Sequence, residues 1–332
     1  MIPLPRFVTF HVTNRCNCRC RHCNIWQLPE PPAPETEQFC RAVDDLADWL
    51  GPTELVVAGG EPLLCRHTLP VLERAARRGL RASLATNGLL LDEDIVRRLA
   101  ALGLEAVNIS LDGFDHTHDR IRNQPGAFAR VLQAAEALHR AGIRVCAICV
   151  LMDDNLDQIT GLVDFLARGD LFDGIFFQAM ALPFGTRAAI PGWWREHPRF
   201  PHDTARVRAL LDELLAMKRG GWFILNEDNQ FPAMQAYFAA PDRFTLERCA
   251  VGEIGFTVNA GGDVMLCNYL EPIGNIARGS LRDIYYSPEA ERRRREMAAC
   301  RDNCHLLINC CFDPSQLVLP PATAVATDGS HD

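Results

Sequence analysis

Between residues 54 and 179, short runs rich in apolar and β-branched residues alternate with segments whose apolar residues recur at helical spacing. The candidate strands are 54–58, 81–85, 106–110, 144–152 and 174–179, and a first strand at 7–13 precedes them. Candidate helices fall at 36–50, 69–78, 92–101, 128–141 and 156–168. Repetition of this kind admits few folds. Successive strands lie parallel, joined by right-handed crossovers, in an open sheet or a partly closed barrel. In both, chemistry gathers at the C-terminal ends of the strands, so the residues just beyond each strand are candidates for one shared site.

Those ends are polar. Gly59-Gly60-Glu61-Pro62 follows the second strand, where two glycines let backbone come close to a ligand and a carboxylate can meet an ammonium group. Thr86-Asn87-Gly88 ends the third strand, Ser110-Leu111-Asp112-Gly113 ends the fourth, Asn155 follows the fifth and Gln178 ends the sixth. Turn chemistry accounts for any one of them. The set, on one face of a parallel sheet, reads as a pocket. Cys65, Asp112, Asn155 and Gln178 are pocket-facing candidates, and no catalytic acid or base is assigned.

The chain has 14 cysteines, crowded towards its two ends. Disulfides do not persist in a reducing compartment, so such a count points to metal. Cys16, Cys20 and Cys23 fit C-x3-C-x2-C directly after the first strand. Three thiolates on one loop can wrap three corners of a cubane cluster and leave one iron open to chelate a small molecule. A structural zinc is the alternative, with Cys18 or His22 as its fourth ligand. Cys146 and Cys149 lie in an apolar stretch and read as small buried hydrophobes.

Composition excludes other classes. The net charge of −8 gives no footprint for a phosphate backbone, so nucleic acid is not an expected partner. No apolar run approaches the length of a bilayer span, and the N-terminus lacks the basic start and hydrophobic stretch of a signal peptide. No membrane partner and a cytoplasmic location are expected.

Taken together, the C-x3-C-x2-C loop, Gly59-Gly60-Glu61-Pro62, Thr86-Asn87-Gly88 and Ser110-Leu111-Asp112 resemble the core of the radical S-adenosylmethionine (SAM) superfamily, over about residues 6–180. The resemblance implies an α/β fold, a partial (β/α)6 barrel of parallel strands. It implies that Cys16, Cys20 and Cys23 hold a [4Fe-4S] cluster that also binds SAM. Gly59, Gly60 and Glu61, with Pro62, would meet the SAM amino group. Ser110, with Thr86 or Asn87, would lie near the ribose and carboxylate, and Asp112 is counted with this cofactor-binding set. The adenine would rest on backbone and apolar atoms around Leu151 and Met152, with His22 packed near it. The implied activity is reductive cleavage of SAM to a 5′-deoxyadenosyl radical that abstracts a substrate hydrogen, fed by an external electron donor such as flavodoxin or ferredoxin.

A second cysteine group follows. Cys249, Gly262 and Cys267 fit C-x12-G-x4-C, and residues 256–258 and 264–267 read as a β-hairpin joined by Asn259-Ala260-Gly261-Gly262-Asp263. After a helix near 287–297 comes Cys300-x3-Cys304-x5-Cys310-Cys311. Residues 245–314 resemble the auxiliary-cluster region of the SPASM and twitch subfamilies. The spacing after Cys300 departs from the usual pattern, so the expectation is one auxiliary [4Fe-4S] cluster, ligated by Cys249, Cys267 and two of Cys300, Cys304 and Cys310. Cys311 and His305 are spare candidates, and a zinc-stapled module is the alternative. The four arginines at 292–295 read as a solvated helix face.

The expected organisation is a radical SAM partial barrel over 1–182 and a connector or substrate-side segment over 183–248. A small cysteine-rich α+β module over 249–314 and a disordered tail over 315–332 complete it. The connector carries one amphipathic helix at about 204–218, and its Trp193, Trp194, Trp222 and Phe231 read as packing. Two substrate classes fit the resemblance: a small molecule that is oxidised or rearranged, and a ribosomally made peptide. Peptide maturases of this kind often carry a leader-recognition domain before the barrel, whereas about six residues precede the first strand here, which favours the small molecule. The reading from a different class is a non-catalytic iron–sulfur or zinc protein.

Overall fold

Strand and helix alternate as the apolar pattern requires in the computed structural model, which describes residues 2–310 apart from 187, 245 and 246. The barrel elements are β1 (Phe7–His11), α1 (Thr36–Leu50), β2 (Glu54–Ala58), α2 (Thr68–Arg77), β3 (Arg81–Thr86) and α3 (Glu93–Ala100). They continue with β4 (Ala106–Ser110), α4 (Asp115–Arg122), α5 (Ala127–Arg140), β5 (Val145–Leu151), α6 (Ile159–Gly169) and β6 (Gly174–Ala179). The strands pair in parallel in the order β6-β5-β4-β3-β2-β1, the open arc of a partial barrel. Residues of alternate parity face opposite ways. Leu55 and Val57 of β2 are fully buried in the core, while Glu54, Val56 and Ala58 line the hollow inside.

Local chemistry sets the helix starts. Glu35 and Gln38 form a reciprocal capping box at α1, and the Asp92 carboxylate accepts from the Ile95 N–H at α3. The pattern of apolar residues does not announce α4. Its sequence is Asp-His-Thr-His-Asp-Arg-Ile-Arg, and besides Ile121 its buried face consists of Thr117, His118 and Arg122.

After the barrel come α7 (Thr204–Arg219) and α8 (Gln230–Ala239), then α9 (Val251–Ile254), β7 (Gly255–Val258), β8 (Asp263–Met265), β9 (Gly274–Asn275), α10 (Leu281–Tyr285) and α11 (Pro288–Ala299). The expected hairpin is β7–β8, but it does not stand alone. β7 pairs in parallel with β1, Phe7 opposite Gly255 and Phe10 opposite Val258, so one nine-stranded sheet runs from β6 to β9. Only glycine fits at 255, where a Cβ would stand 2.2 Å from the Phe7 carbonyl oxygen. Trp193 and Trp194 pack on Phe200, and Phe231 is buried, as packing requires.

The arginine run corrects its expected role. Arg294 is buried, stacks 4.2 Å from the Tyr285 ring centroid and donates to the Gly252 and Tyr285 carbonyls, which ties α11 to α9 and α10. Cys311 and the tail expected to be disordered lie outside the described residues. Among the described residues, no helix is long and apolar enough to cross a membrane.

The open edge at β6 is covered without a further strand. Ile175 forms a parallel bridge with Ile224. The Asn226 side chain accepts from the Phe177 N–H at 2.7 Å and donates to the Phe177 carbonyl at 2.8 Å. Asn309 repeats this at Ala179, at 2.8 and 2.9 Å. Each asparagine presents the donor and acceptor that a neighbouring strand would, so the edge neither exposes nor buries unpaired backbone. Asn226→Ala strips both partners from Phe177 and is expected to cost about 2–4 kcal/mol by denaturant titration. A loss too small to measure would contradict this role.

Candidate active site

The cysteine loop after β1 is held from three sides. Gly60 N–H donates to the Thr13 carbonyl and Glu61 N–H to the Arg15 carbonyl, both at 2.7 Å. Arg19 and Arg21 N–H donate to the Arg122 and Ile121 carbonyls at the end of α4, at 3.3 and 3.0 Å. Asn24 N–H donates to the Phe184 carbonyl beyond β6 at 2.7 Å. The paired glycines are needed first for this contact. A Cβ on Gly60 would stand 2.2 Å from the Arg15 carbonyl oxygen, and Gly59, at φ +146°, would meet the Thr13 oxygen at 2.5 Å.

Inside the barrel is a cavity of about 550 Å³. Cys16, Cys20 and Cys23 line it, and so do Gly59, Gly60, Thr86, Asn87, Ser110, Gln178 and His22. The structure thus gathers the thiols and most of the polar strand ends around one space. Cys18 lines it too, and the Cys18 thiol's hydrogen bond, with the Arg122 guanidinium, pulls Cys20 down to about 6 against the effect of burial. Cys20 is thus favoured as the thiolate, the form that binds iron, whereas burial pushes Cys23 up to about 12. The donor set fits an iron–sulfur cluster: three soft sulfur donors on one loop, glycines on the facing turn, and a buried His22 Nδ1 with no partner among the described residues. Among the described residues, no three His, Cys, Asp or Glu side chains are placed to hold a single metal ion.

Several expected site residues lie elsewhere. Glu61 is fully buried and its carboxylate is occupied: it accepts from Thr86 Oγ1 and Asn87 N–H at 2.8 Å and from Leu63 N–H at 3.1 Å. It fastens the β2 turn to the end of β3 instead of facing the cavity. Pro62 is buried beside it and starts the short turn of helix that follows. Leu151 and Met152 are fully buried in the hydrophobic core, because the inward parity of β5 falls on Ile148 and Val150, which line the cavity. Asn155 bridges the Asp112 and Val150 carbonyls at 2.7 and 2.8 Å, and the Cys65 thiol donates to the Val12 carbonyl at 3.3 Å. Both serve the scaffold.

Asp112 also sits behind the wall, in a network whose centre the sequence did not mark. Its carboxylate meets the Arg122 guanidinium at 2.7 Å and accepts from Val150 N–H at 3.0 Å. Burial pushes Asp112 up, but Arg122, with His22 and His118 beyond, outweighs it and holds the carboxyl below its ordinary value. Arg122 lines the cavity and its Nη1 lies 3.8 Å from the Cys20 sulfur. The only sequence signal for it is an arginine ten residues after the Asp112 turn, in a segment without apolar periodicity.

The second cysteine group divides. Cys304 feels the charges of Cys267, Cys249 and Cys300, and Cys249 those of Cys300 and Cys267, so these four thiols form one neighbourhood. Burial first, then their mutual repulsion, raises Cys249 to about 11 and Cys304 to about 12. Cys267 and Cys300 sulfurs accept from the Tyr269 and Asp302 N–H groups at 3.4 Å. Cys310 is not of this group; it lines the central cavity with His305.

A parallel partial barrel with three thiols at its strand-end pocket and a four-thiol site beyond it defines a class of iron–sulfur enzymes. The chain matches the family model of the Radical SAM superfamily over residues 10–166, and that of an iron-sulfur cluster-binding domain, SPASM, over residues 249–313. It belongs to the radical SAM superfamily, in its SPASM-type branch. It is an enzyme that uses SAM and a [4Fe-4S] cluster, with auxiliary iron–sulfur binding in its C-terminal region, and reductive cleavage of SAM is the family reaction. The AdoMet-dependent heme synthase of Methanosarcina barkeri is 27% identical over 315 residues, 92% of this chain and 88% of that protein. The sporulation killing factor maturation protein SkfB of Bacillus subtilis is 25% identical over 287 residues, 85% of this chain and 65% of that one. Among solved structures, anSMEcpe with bound AdoMet and Cp18Cys peptide superimposes with a TM-score of 0.68 at 17% identity, covering 92% of this chain and 88% of that one, a likeness of fold.

The network behind the wall has a pH signature. His118 Nδ1 accepts from the Asp112 N–H at 3.1 Å, and burial, then Arg122, lowers its pKa to about 4. The folded form therefore binds fewer protons than the unfolded chain between about pH 6.5 and 4, and stability falls across that window by up to about 1.4 kcal/mol per pH unit for this group. His118→Gln keeps an acceptor for the N–H and does not titrate. Its denaturation midpoint is expected to fall less steeply than wild type from pH 7 to 5; equal slopes would refute the assignment.

Proposed function

We propose that Cys16, Cys20 and Cys23 ligate the catalytic cluster, that Gly59, Gly60, Thr86, Asn87 and Ser110 bind SAM, and that a small molecule is the substrate, oxidised or rearranged. The observation that carries this is the single cavity onto which the three thiols and the polar ends of β2, β3 and β4 all open. When bound, the cluster and SAM supply one electron and a sulfonium whose cleavage yields methionine and a 5′-deoxyadenosyl radical.

The chain's own residues hold and shield. Gly59 and Gly60 offer backbone to the amino end of SAM, Ser110 and Asn87 offer polar groups to its carboxylate and ribose, and Ile148 and Val150 offer an apolar wall to the adenine. Glu61 acts through the turn it fastens, and Arg122 favours the thiolate at Cys20. Cys249, Cys267, Cys300 and Cys304 complete all four corners of one auxiliary cluster, as in a twitch-type arrangement, which suits it to exchanging electrons. In this proposal the barrel of 1–182, the connector of 183–248 and the module of 249–314 act as one oxidoreductase. Its electrons come from a flavodoxin- or ferredoxin-class donor in the cytoplasm.

Size limits what the cavity can take at one time. A cavity of about 550 Å³ that also takes SAM leaves room for one small molecule or one side chain. The second reading, a ribosomally made peptide that inserts one side chain, is favoured by the likeness to the maturation protein SkfB and to anSMEcpe with its bound peptide.

Anaerobic reconstitution with SAM and dithionite tests the proposal. Two cubanes give about eight irons per chain and the catalytic one alone about four. Replacing Cys16, Cys20 and Cys23 together by alanine is expected to abolish 5′-deoxyadenosine while leaving the auxiliary iron. Continued formation of the nucleoside would reject the three ligands.

A further inference from the structure

One thiol facing the cavity stands outside the residues proposed above to hold SAM and the two clusters. Cys310 closes a π-turn, Leu306–Cys310, and lines the cavity beside His305 and Asn309. Its position is fixed, because Asn309 is clamped to Ala179 of β6 through both its amide atoms. It stands apart from the four thiols of the auxiliary site, which act on one another and not on it. An ordinary cysteine thiol is protonated at neutral pH, so the sulfur carries a hydrogen atom to give. The same cavity holds the buried His22 Nδ1, which has no partner among the described residues and is a polar atom left for something bound there.

We propose that Cys310 is a catalytic hydrogen-atom donor, whose S–H returns a hydrogen atom to the carbon radical formed on the substrate. The inference rests on the reading of the cavity given above and narrows its outcome. After the 5′-deoxyadenosyl radical has taken a hydrogen atom from a substrate C–H bond, the substrate carbon takes one from Cys310. A C–H bond forms, the S–H bond breaks, and a thiyl radical remains. The S–H bond is the weaker of the two, so the transfer runs downhill. One electron from a flavodoxin- or ferredoxin-class reductant and one proton from water restore the thiol.

Over the cycle, SAM becomes methionine and 5′-deoxyadenosine, two electrons and one proton are consumed, and the substrate carbon exchanges its hydrogen for one of solvent origin. The substrate leaves at its original oxidation level. The reaction class is therefore inversion of a C–H stereocentre, or a rearrangement quenched by hydrogen, and not oxidation.

The holoprotein is incubated anaerobically with SAM and dithionite in D2O without substrate, so that the radical is quenched by the nearest hydrogen source. Wild type carrying S–D at Cys310 is expected to give 5′-deoxyadenosine with one added deuterium by mass spectrometry. Cys310→Ser, whose O–D bond is too strong to be abstracted, is expected to lose that deuterium while iron and sulfide per chain stay at the wild-type level. Undiminished deuterium in Cys310→Ser overturns the proposal. So does its loss in Cys18→Ala alone, Cys18 being another thiol at the cavity. A fall in iron in Cys310→Ser would make the residue a cluster ligand and overturn it as well. If wild type forms no 5′-deoxyadenosine at all, the reading of the cavity fails, and the donor role with it; nucleoside without deuterium fails only the latter.

Discussion

The close approach of two backbones, the cysteine loop and the turn after β2, is the constraint on which the site depends. Two hydrogen bonds of 2.7 Å join them, and neither glycine of the turn leaves room for a Cβ. The same turn is fastened at its far side by the Glu61 carboxylate, which spends its acceptors on Thr86, Asn87 and Leu63. The Asn87 side chain in turn reaches the Asn17 side chain at 2.7 Å, back in the cysteine loop. A closed circuit thus links the ends of β1, β2 and β3, and a shift in one end moves the others. That circuit holds three thiols and a cavity-facing backbone in fixed relation, the precision that chemistry beside a bound molecule demands.

Behind the wall, Arg122 and Asp112 decide the electrostatics. A buried pair of this kind is weak evidence for stability, because the desolvation of both ions offsets most of their attraction. Its place is better explained by what it does to the loop. Arg122 puts a fixed positive charge beside Cys20, while the backbone at its end of α4 accepts from Arg19 and Arg21. The thiolate form is favoured and the loop is positioned by the same residue. Asp112 keeps the guanidinium from seeking water, and His118 holds the Asp112 backbone in place.

Much of this was legible in the sequence, and the failures have physical causes. Both faces of a strand in a parallel sheet are apolar, so the parity that sends Ile148 and Val150 inward and Leu151 outward leaves no mark on the pattern. Helix α4 escaped because its buried face pairs ions and imidazoles instead of apolar side chains. Glu61 was read by its charge, yet at full burial a carboxylate is satisfied by whatever donors surround it, here the protein's own. In the arginine run, a helix that packs on one side hides one arginine in four however charged the string looks. Asn226 and Asn309 look like ordinary turn residues until the strand edge they complete is known.

The pairing of β7 with β1 was the least legible step, since parallel partners lie some 250 residues apart and share no local signal. It also has the largest consequence. The cysteine-rich region enters the barrel's sheet at one edge through β7, and reaches the opposite edge through Asn309 on β6. It therefore straddles the open side of the arc. Cys304 belongs to the auxiliary thiols, its neighbour His305 lines the central cavity, and Cys310 follows five residues beyond His305 on the same wall. A few residues of continuous backbone thus run from the C-terminal thiol group to the wall of the central cavity. The region is better understood as the closing wall of the active site than as an appendage to it.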